Sequence, residues 1–189
     1  SYKIMRVISG FLKGKKILEP KDIKTRPLKD LTKESIFNII KHSNKLKTDL
    51  EKSNILDLFS GVGSFGIECL SRGAGKVTFV ENYSGVLPIL KKNLSNIRSH
   101  NSYQIIEKDI INGNLFLELN EKFDLIFLDP PFKDKNLKNI LASIAKEKLL
   151  NTNGIIIIHR HKSEIDTIPE DFKIIEEKKY GLSKIIFLN

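Results

Sequence analysis

The sequence predicts an α/β fold built on a mostly parallel, doubly wound sheet. From residue 55 onward, short apolar runs typical of buried strands alternate with segments of helical periodicity. A glycine-rich turn at residues 61–66 follows the first apolar run and leads into a helix, which is typical of parallel sheets. A length of 189 residues with 40% hydrophobic content suits one well-packed domain with a small extension.

The predicted elements follow one another in a regular order. We expect strands at residues 55–60, 77–81, 103–107, 124–129 and 155–159 and helices near residues 64–72, 84–98 and 135–148. Two further β runs, at residues 172–177 and 183–188, lie on either side of Tyr180-Gly181. They are expected to close the sheet as an antiparallel hairpin.

The first 45 residues are predicted to extend this domain with a β-hairpin and a helix. The alternation of Ile4, Arg6 and Ile8 indicates one strand, and residues 16–18 indicate its partner across two glycines.

The helix is expected after Pro27, capped by Asp30 or Thr32. Its core-spaced apolar residues are Leu31, Ile36, Ile39 and Ile40. The charged stretch 41–54 is interpreted as helix end and linker.

Most of the positive charge lies at the beginning of the chain. Residues 1–33 contain ten Lys or Arg and three Asp or Glu, and so carry +7 of the net charge of +9. Localised positive charge supplies the salt-dependent part of nucleic-acid binding, so we expect an RNA or DNA partner. A solvated lysine-rich surface is the alternative. The expected nucleic-acid-binding residues are Arg6, Lys13, Lys15, Lys16 and Arg26.

The turn Gly61-Val62-Gly63-Ser64-Phe65-Gly66 predicts a site for a cofactor that contains a nucleoside. Glycines let the backbone approach a ligand closely, and the following helix N-terminus offers N–H groups. Glu81 comes twenty residues after Gly61, where a carboxylate can accept hydrogen bonds from ribose hydroxyls. The same spacing is the dinucleotide fingerprint, so it fits NAD as well as S-adenosylmethionine.

Asp57, inside the first apolar strand, favours S-adenosylmethionine. A buried carboxylate is costly unless it is paired, and the amino group of that cofactor would pair it, whereas the pyrophosphate of NAD would be repelled. A structural ion pair with a lysine is the alternative.

The tetrapeptide Asp129-Pro130-Pro131-Phe132 follows another predicted strand. Proline lacks an N–H, so this segment presents a carboxylate and carbonyl oxygens, which suit an amino group. Phe132 adds an aromatic face on which a base can stack. We therefore expect chemistry on an exocyclic nucleobase amine, with a plain strand-ending turn as the alternative.

These residues are expected to meet at one edge of the sheet. Gly61, Glu81, Asp109 and Asp129 all follow predicted strands, and ligands of open α/β sheets bind beyond the carboxyl ends of the strands.

Several other classes of protein and site are disfavoured. The single cysteine, Cys69, excludes an internal disulfide and is expected in the core. His159 and His161 lack an evident third ligand, so no metal site is predicted. No apolar run approaches the ~18 residues that cross a membrane, so we expect a soluble, cytoplasmic protein.

Six segments in order along the chain resemble the RsmD family of bacterial methyltransferases. They are Met5-Arg6-Val7-Ile8-Ser9-Gly10, Lys13-Gly14-Lys15-Lys16, Thr25-Arg26-Pro27, Glu34-Ser35-Ile36-Phe37-Asn38, Asp57-Leu58-Phe59-Ser60-Gly61-Val62-Gly63 and Asp129-Pro130-Pro131-Phe132. The resemblance spans nearly the whole chain. One departure is Leu28, where the family usually carries a threonine.

The resemblance implies a class I, Rossmann-like methyltransferase fold, with S-adenosylmethionine as cofactor. It also implies methylation of the exocyclic N2 amine of a guanine in small-subunit (16S) ribosomal RNA. Asp57, Ser60, Gly61 and Gly63 would hold the cofactor together with Glu81 on the ribose and Asp109 near the adenine. Asp129 to Phe132 would be the catalytic residues that hold the target base.

The expected organisation is an RNA-binding extension, residues 1–45, and a catalytic domain, residues 46–189. We expect a monomer that acts on ribosomal RNA, within an assembling small ribosomal subunit, and that contacts no membrane.

Three other functions share part of this pattern. An adenine-N6 methyltransferase acting on DNA or RNA would use a nearly identical tetrapeptide, although the chain leaves no room for a target-recognition domain. An NAD-dependent dehydrogenase shares the glycine turn but does not call for Asp129 to Phe132. A non-catalytic RNA-binding module would keep the hairpin and could dispense with Asp57 and Asp129.

Overall fold

The structure, a computed structural model, describes residues 5–21, 28–97, 102–112, 114–131 and 135–189. Its elements, in chain order, are α1 (Asp30–His42), β1 (Asn54–Leu58), α2 (Ser64–Ser71), β2 (Lys76–Val80), α3 (Leu87–Ser95), β3 (Tyr103–Ile106), α4 (Leu115–Glu118), β4 (Phe123–Leu128), α5 (Leu137–Lys146), β5 (Leu150–His161), β6 (Ile174–Tyr180) and β7 (Ser183–Leu188).

The seven strands form one sheet in the order β3-β2-β1-β4-β5-β7-β6. Strands β1 to β5 run parallel to one another, whereas β7 runs antiparallel to both β5 and β6. The order reverses between β1 and β4, which makes the carboxyl ends of these central strands the expected ligand-binding edge. The predicted doubly wound sheet and its antiparallel end are confirmed.

The element boundaries differ from the sequence-based ones by a few residues. Strand β5 is longer than expected at both ends because it begins at Leu150 and continues to His161. The short helix α4 was not predicted. Helix α1 begins at Asp30, and its N-cap is Lys29, without a side-chain cap, so the predicted capping by Asp30 or Thr32 is wrong.

Apolar side chains cover both faces of the sheet, and the alternation within β1 assigns its residues to the two sides. Leu56 and Leu58 belong to the core that includes helix α5, whereas Ile55 belongs to the core beneath α1, α2 and α3. Asp57 alternates with Leu56 and Leu58, so it shares the α2 face with Ile55. A carboxylate therefore lies within an otherwise apolar strand and layer.

The N-terminal hairpin is present, with a different set of inward residues. The backbone N–H of Val7 donates to the Lys15 carbonyl and that of Ile17 to the Met5 carbonyl. Met5, Val7 and Ile17 are buried, whereas Arg6 is exposed. The side chains that face the core are thus those of Met5 and Val7, one residue away from the predicted alternation of Arg6 and Ile8. Ile4 lies outside the described residues.

The hairpin is fixed to α2 by buried polar contacts. Both Glu68 carboxylate oxygens accept backbone N–H groups, from Ile8 at 2.8 Å and from Ser9 at 3.0 Å. At Gly10 the backbone has φ +89°, and a Cβ would lie 1.9 Å from the Ser71 carbonyl oxygen. Glycine is therefore required where the hairpin turn meets the end of α2.

The hairpin and α1 share their core with the sheet. Met5 and Phe37 belong to the same apolar cluster as Ile55 and Phe127. The division of the chain near residue 45 stays a prediction. Among the described residues, the helices are too short or too polar to cross a membrane.

Candidate active site

Three carboxylates approach one another at the carboxyl ends of the central strands. Leu58 of β1 pairs with Val80 of β2 and with Leu128 of β4, so the residues that follow these strands are neighbours. Glu81 and Asp129 are those residues, and Asp57 lies just inside the edge. The predicted convergence of strand ends is therefore present in the structure.

Asp57 is buried with one oxygen unsatisfied. Its Oδ2 accepts the Gly66 N–H at 3.2 Å, whereas Oδ1 has no hydrogen-bond partner among the described residues. Burial, and then the negative charges of Asp129 and Glu81, raise the pKa of this carboxyl well above its ordinary value. No lysine pairs with Asp57 among the ion pairs of the described residues, which disfavours the alternative of a structural ion pair.

Glu81 stabilises the glycine turn from β2. Its Oε1 accepts the Gly61 N–H at 2.9 Å, and its Oε2 accepts the N–H groups of Asn82 and Tyr83 at 3.1 and 3.0 Å. A carboxylate has about four lone-pair sites, so capacity for a ligand hydroxyl remains. The Gly61 N–H itself is engaged by Glu81 within the protein.

The glycine turn is shaped by packing as well as by its backbone. Gly63 has φ +89°, and a Cβ at this position would lie 2.7 Å from Leu90 Cδ1. Its N–H donates to the Ser60 carbonyl at 2.9 Å. The Ser60 hydroxyl, in turn, donates to the Val80 carbonyl at 3.1 Å and holds β1 against β2.

Asp109 lies three residues beyond the end of β3 and organises the next turn. Its Oδ1 accepts the N–H groups of Ile111 at 2.8 Å and Asn112 at 3.3 Å. These hydrogen bonds, with one from the Asn112 side chain, lower the pKa of the Asp109 carboxyl. The structure thus gives Asp109 a local structural role, and its contact with an adenine stays a prediction.

Asp129 meets a histidine that the sequence did not single out as its partner. His159 Nδ1 lies 2.8 Å from Asp129 Oδ1, and His159 Nε2 lies 2.9 Å from Ser183 Oγ. The sequence contained one indication of this contact. Strands β4 and β5 were expected to end at residues 129 and 159, and the ends of parallel strands lie at the same edge of the sheet.

The segment after Asp129 is held by a second residue of β5. Arg160 is 1% exposed, and its guanidinium donates to the Pro131 carbonyl at 3.4 Å and to both carboxylate oxygens of Asp166 at 3.0 and 2.9 Å. Pro130 is buried and Pro131 is exposed. Phe132 lies outside the described residues.

The predicted RNA-binding residues differ in exposure. Arg6, Lys13 and Lys16 are exposed, whereas Lys15 is half-buried, and burial lowers its pKa. Arg26 lies outside the described residues.

Lys33, which contributes to the predicted basic segment, is fully buried. Its Nζ lies 3.4 Å from Glu68 Oε1 and 3.1 Å from Ser64 Oγ. This lysine serves packing and cannot meet a polyanion.

The site's chemistry suits an organic cation with hydroxyl groups. The orphan oxygen of Asp57 suits an ammonium or sulfonium group, and the acid after β2 suits a ribose. No cluster of three or more His, Cys, Asp or Glu residues within the described parts of the chain is arranged to hold a metal ion.

A seven-stranded sheet of this order with an acidic edge defines a class I methyltransferase. The model of the family described as "Conserved hypothetical protein 95", the RsmD family, matches residues 5–189, and the chain belongs to this family. The resemblance stated from the sequence motifs is confirmed, and with it the chain's nature as a methyltransferase.

Individual relatives agree over nearly the full length. YlbH from Bacillus subtilis is 33% identical over 96% of this chain and 96% of its own. "Ribosomal RNA small subunit methyltransferase D" from Haemophilus influenzae is 31% identical over 94% of this chain and 90% of its own. The solved structure of HI0767 from Haemophilus influenzae has a TM-score of 0.76 at 28% identity, covering 98% of each chain.

Proposed function

We propose that the protein methylates the exocyclic N2 amine of a guanine in small-subunit ribosomal RNA, with S-adenosylmethionine as the donor. The observation that carries the proposal is the convergence of Asp57, Glu81 and Asp129 at one edge of the sheet, where Asp57 Oδ1 has no hydrogen-bond partner among the described residues. The name of the Haemophilus relative supports the choice of RNA.

Residues on the β1 and β2 side would hold the donor. Asp57 would pair with its amino group, because that contact satisfies the orphan oxygen and offsets the charge of the neighbouring acids. Ser60, Gly61 and Gly63 would shape the wall beside its methionine half. Glu81 would accept the ribose hydroxyls.

One further donor contact belongs to the proposal. Asp109 would lie near the adenine, at the turn that it organises after β3. When bound, S-adenosylmethionine supplies an electrophilic methyl group, whose carbon–sulfur bond breaks with its electron pair going to sulfur as the amine nitrogen bonds the carbon.

Asp129 and Pro130 would position the target amine. A guanine amine is a weak nucleophile because its lone pair is delocalised into the ring. If the Asp129 carboxylate and the Pro130 carbonyl accept its two N–H groups, the lone pair turns toward the methyl group, and the developing positive charge is stabilised. The Pro131 carbonyl already accepts from Arg160, which favours that of Pro130 as the acceptor for the amine. Asp129 would accept the proton that the amine loses, or pass it to water.

Phe132 would stack on the base after it leaves its helix or loop. Outside this pocket, the hairpin residues Arg6, Lys13, Lys15 and Lys16, with Arg26, would contact RNA phosphates. We further propose a cytoplasmic monomer that acts on an assembling small ribosomal subunit.

A methyl-transfer assay with labelled S-adenosylmethionine tests this function. Naked small-subunit RNA and partly assembled small subunits are compared as substrates, and the methylated nucleoside is identified. We expect N2-methylguanosine. N6-methyladenosine, or labelling of neither substrate, would overturn the proposal.

In the same assay, the variant Asp129→Ala tests the role of the Asp129 carboxylate. We expect it to lower the rate of methyl transfer by about 10²–10³-fold, the effect of removing one such electrostatic contact. Donor affinity should change little because the carboxylate faces the base. A variant that retains activity within a few-fold of the parent would contradict the role of Asp129.

A further inference from the structure

The carboxyl end of β5 holds the active-site segment that follows β4. Leu128 pairs with Ile158 across the two parallel strands, so the next residues, Asp129 and His159, lie side by side. The His159 side chain is 10% exposed, and that of Asp129 is 22% exposed. The contact is thus shielded from water on the histidine side and open on the carboxylate side.

The hydrogen bonds of His159 define its tautomer. An ionised carboxylate can only accept, so the proton between His159 Nδ1 and Asp129 Oδ1 belongs to the ring. In the neutral ring, Nε2 then accepts from the Ser183 hydroxyl, 2.9 Å away. A hydroxyl can also accept, so both contacts survive protonation of the ring. The arrangement therefore keeps Nδ1–H directed at Asp129 in either state.

We propose that His159 is a positioning residue for methyl transfer, fixing Asp129 Oδ1 so that Oδ2 is presented to the target amine. This inference rests on the proposed function. The Asp129 side chain has two rotatable bonds, and without a fixed partner its carboxylate can turn away from the substrate. The packed His159 ring holds Asp129 Oδ1, and the planar geometry of the carboxylate then fixes the position of Oδ2. Such positioning raises kcat because the acceptor is in place before the amine arrives.

The next residue of β5, Arg160, also contacts the segment that follows β4. Arg160 reaches the Pro131 carbonyl, although successive strand residues point to opposite faces. Its guanidinium is held by Asp166, so this contact fixes the backbone rather than the carboxylate. His159 and Arg160 therefore act on different atoms of one segment, and His159 contacts the carboxylate that would meet the substrate.

Two isosteric variants separate positioning from packing. In His159→Asn, the side-chain amide can occupy the place of Nδ1 and still donate to Asp129. In His159→Gln, the amide reaches instead toward the place of Nε2 and Ser183, and the contact with Asp129 is lost. We expect the glutamine variant to lower kcat by up to about 100-fold, with the KM for S-adenosylmethionine unchanged, and the asparagine variant to retain most of the activity.

The experiment measures kcat, KM and thermal unfolding for the parent, both variants and Ser183→Ala. Equal kcat values of the asparagine and glutamine variants would overturn the inference. It would also be overturned if, in all three variants, the loss of kcat were proportional to the fall in melting temperature. Ser183→Ala should reduce kcat only a few-fold because Nδ1 keeps its partner. If the parent itself methylates no ribosomal RNA, the proposed function fails. If the parent is active and the variants do not separate, only the role of His159 fails.

Discussion

At the scale of single residues, Asp57 has the most unusual environment in the site. Its pKa is raised by burial and by two neighbouring acids, so the folded state binds this proton more tightly than the unfolded state does. The resulting stabilisation is complete below the ordinary pKa of 3.8 and is lost as the pH rises through the raised pKa. Above the raised pKa, the protein without donor therefore tolerates a carboxylate that destabilises it.

The first prediction concerns Asp57→Asn. The amide can still accept the Gly66 N–H, and its NH₂ group replaces the orphan oxygen, so repulsion from Asp129 and Glu81 disappears. We expect the free energy of unfolding without donor to rise by about 1–3 kcal/mol at high pH and to match the parent once Asp57 is protonated. S-adenosylmethionine affinity should fall.

Urea unfolding across a pH series, with calorimetric binding in parallel, checks this prediction. A variant that loses stability equally at every pH and binds the donor as the parent does would contradict it.

The second prediction concerns Glu81→Ala. Because the carboxylate accepts three backbone N–H groups as well as the proposed ribose hydroxyls, the variant should lose donor affinity and also loosen the glycine turn. We expect a loss of about 1.5–3 kcal/mol in binding, the scale of hydrogen bonds to a charged group. Calorimetry with S-adenosylmethionine and with NAD decides the matter. Unchanged donor affinity, or tight NAD binding, would refute the assignment.

At the scale of elements, the join between the hairpin, α1 and α2 depends on one buried carboxylate. Glu68 accepts from Ile8, Ser9 and Arg72 and lies 3.4 Å from Lys33 Nζ. Burial lowers the pKa of Lys33, and Glu68 partly offsets that effect. Four charged or polar partners from three segments therefore meet at a single side chain.

The third prediction is an asymmetry between the two members of this ion pair. Glu68→Ala leaves Lys33 charged and buried without its partner, so we expect a loss of about 3–5 kcal/mol in unfolding free energy. Lys33→Met should be milder because Glu68 keeps Arg72 and two backbone N–H groups. Urea unfolding of both variants measures the difference. Equal losses would show that the buried pair is not what fixes the hairpin.

The sequence predicted the elements better than the contacts between them. The end of β4 could be placed because its apolar run stops at Asp129, and parallel strands bring their ends to one edge, whereas β5 continues two residues beyond the expected end at His159. The hydrogen bond between these two residues depends on the register of β4 and β5, which no local pattern specifies.

The burial of Glu68 and Lys33 could not be predicted from the sequence either. Glu68 lies within an apolar helical segment, and Lys33 within a basic one, so neither composition nor spacing indicates their contact. Their association requires α1 to pack over α2, which is a property of the tertiary structure.

At the scale of the whole molecule, the proposed RNA surface and donor site lie on different segments. The cofactor residues all follow residue 54, whereas +7 of the net charge precedes residue 34. Lys33 does not contribute to a surface, since it is buried. Among the described residues, the exposed part of this charge, Arg6, Lys13, Lys16, Lys21 and Lys29, can meet RNA, and the hairpin carries three of these five side chains.

The last prediction is that the two binding functions can be separated. Replacing Lys13, Lys15 and Lys16 by Ala should weaken binding to ribosomal RNA and flatten its salt dependence by up to about 0.7–0.9 in logarithmic slope for each lost phosphate contact. S-adenosylmethionine affinity should be unchanged, because the hairpin meets α2 through Glu68 and backbone groups rather than through these lysines.

The matched control replaces three exposed lysines elsewhere, Lys138, Lys146 and Lys179, by Ala, which removes the same net charge. RNA affinity is measured at several salt concentrations for the parent and both triple variants, with donor affinity in parallel. We expect a flattened slope for the hairpin variant and a slope near that of the parent for the control, because counterions are released only where phosphates are contacted. Equal slopes for the two triple variants would show that net charge alone attracts the RNA, and would exclude the hairpin as the binding element.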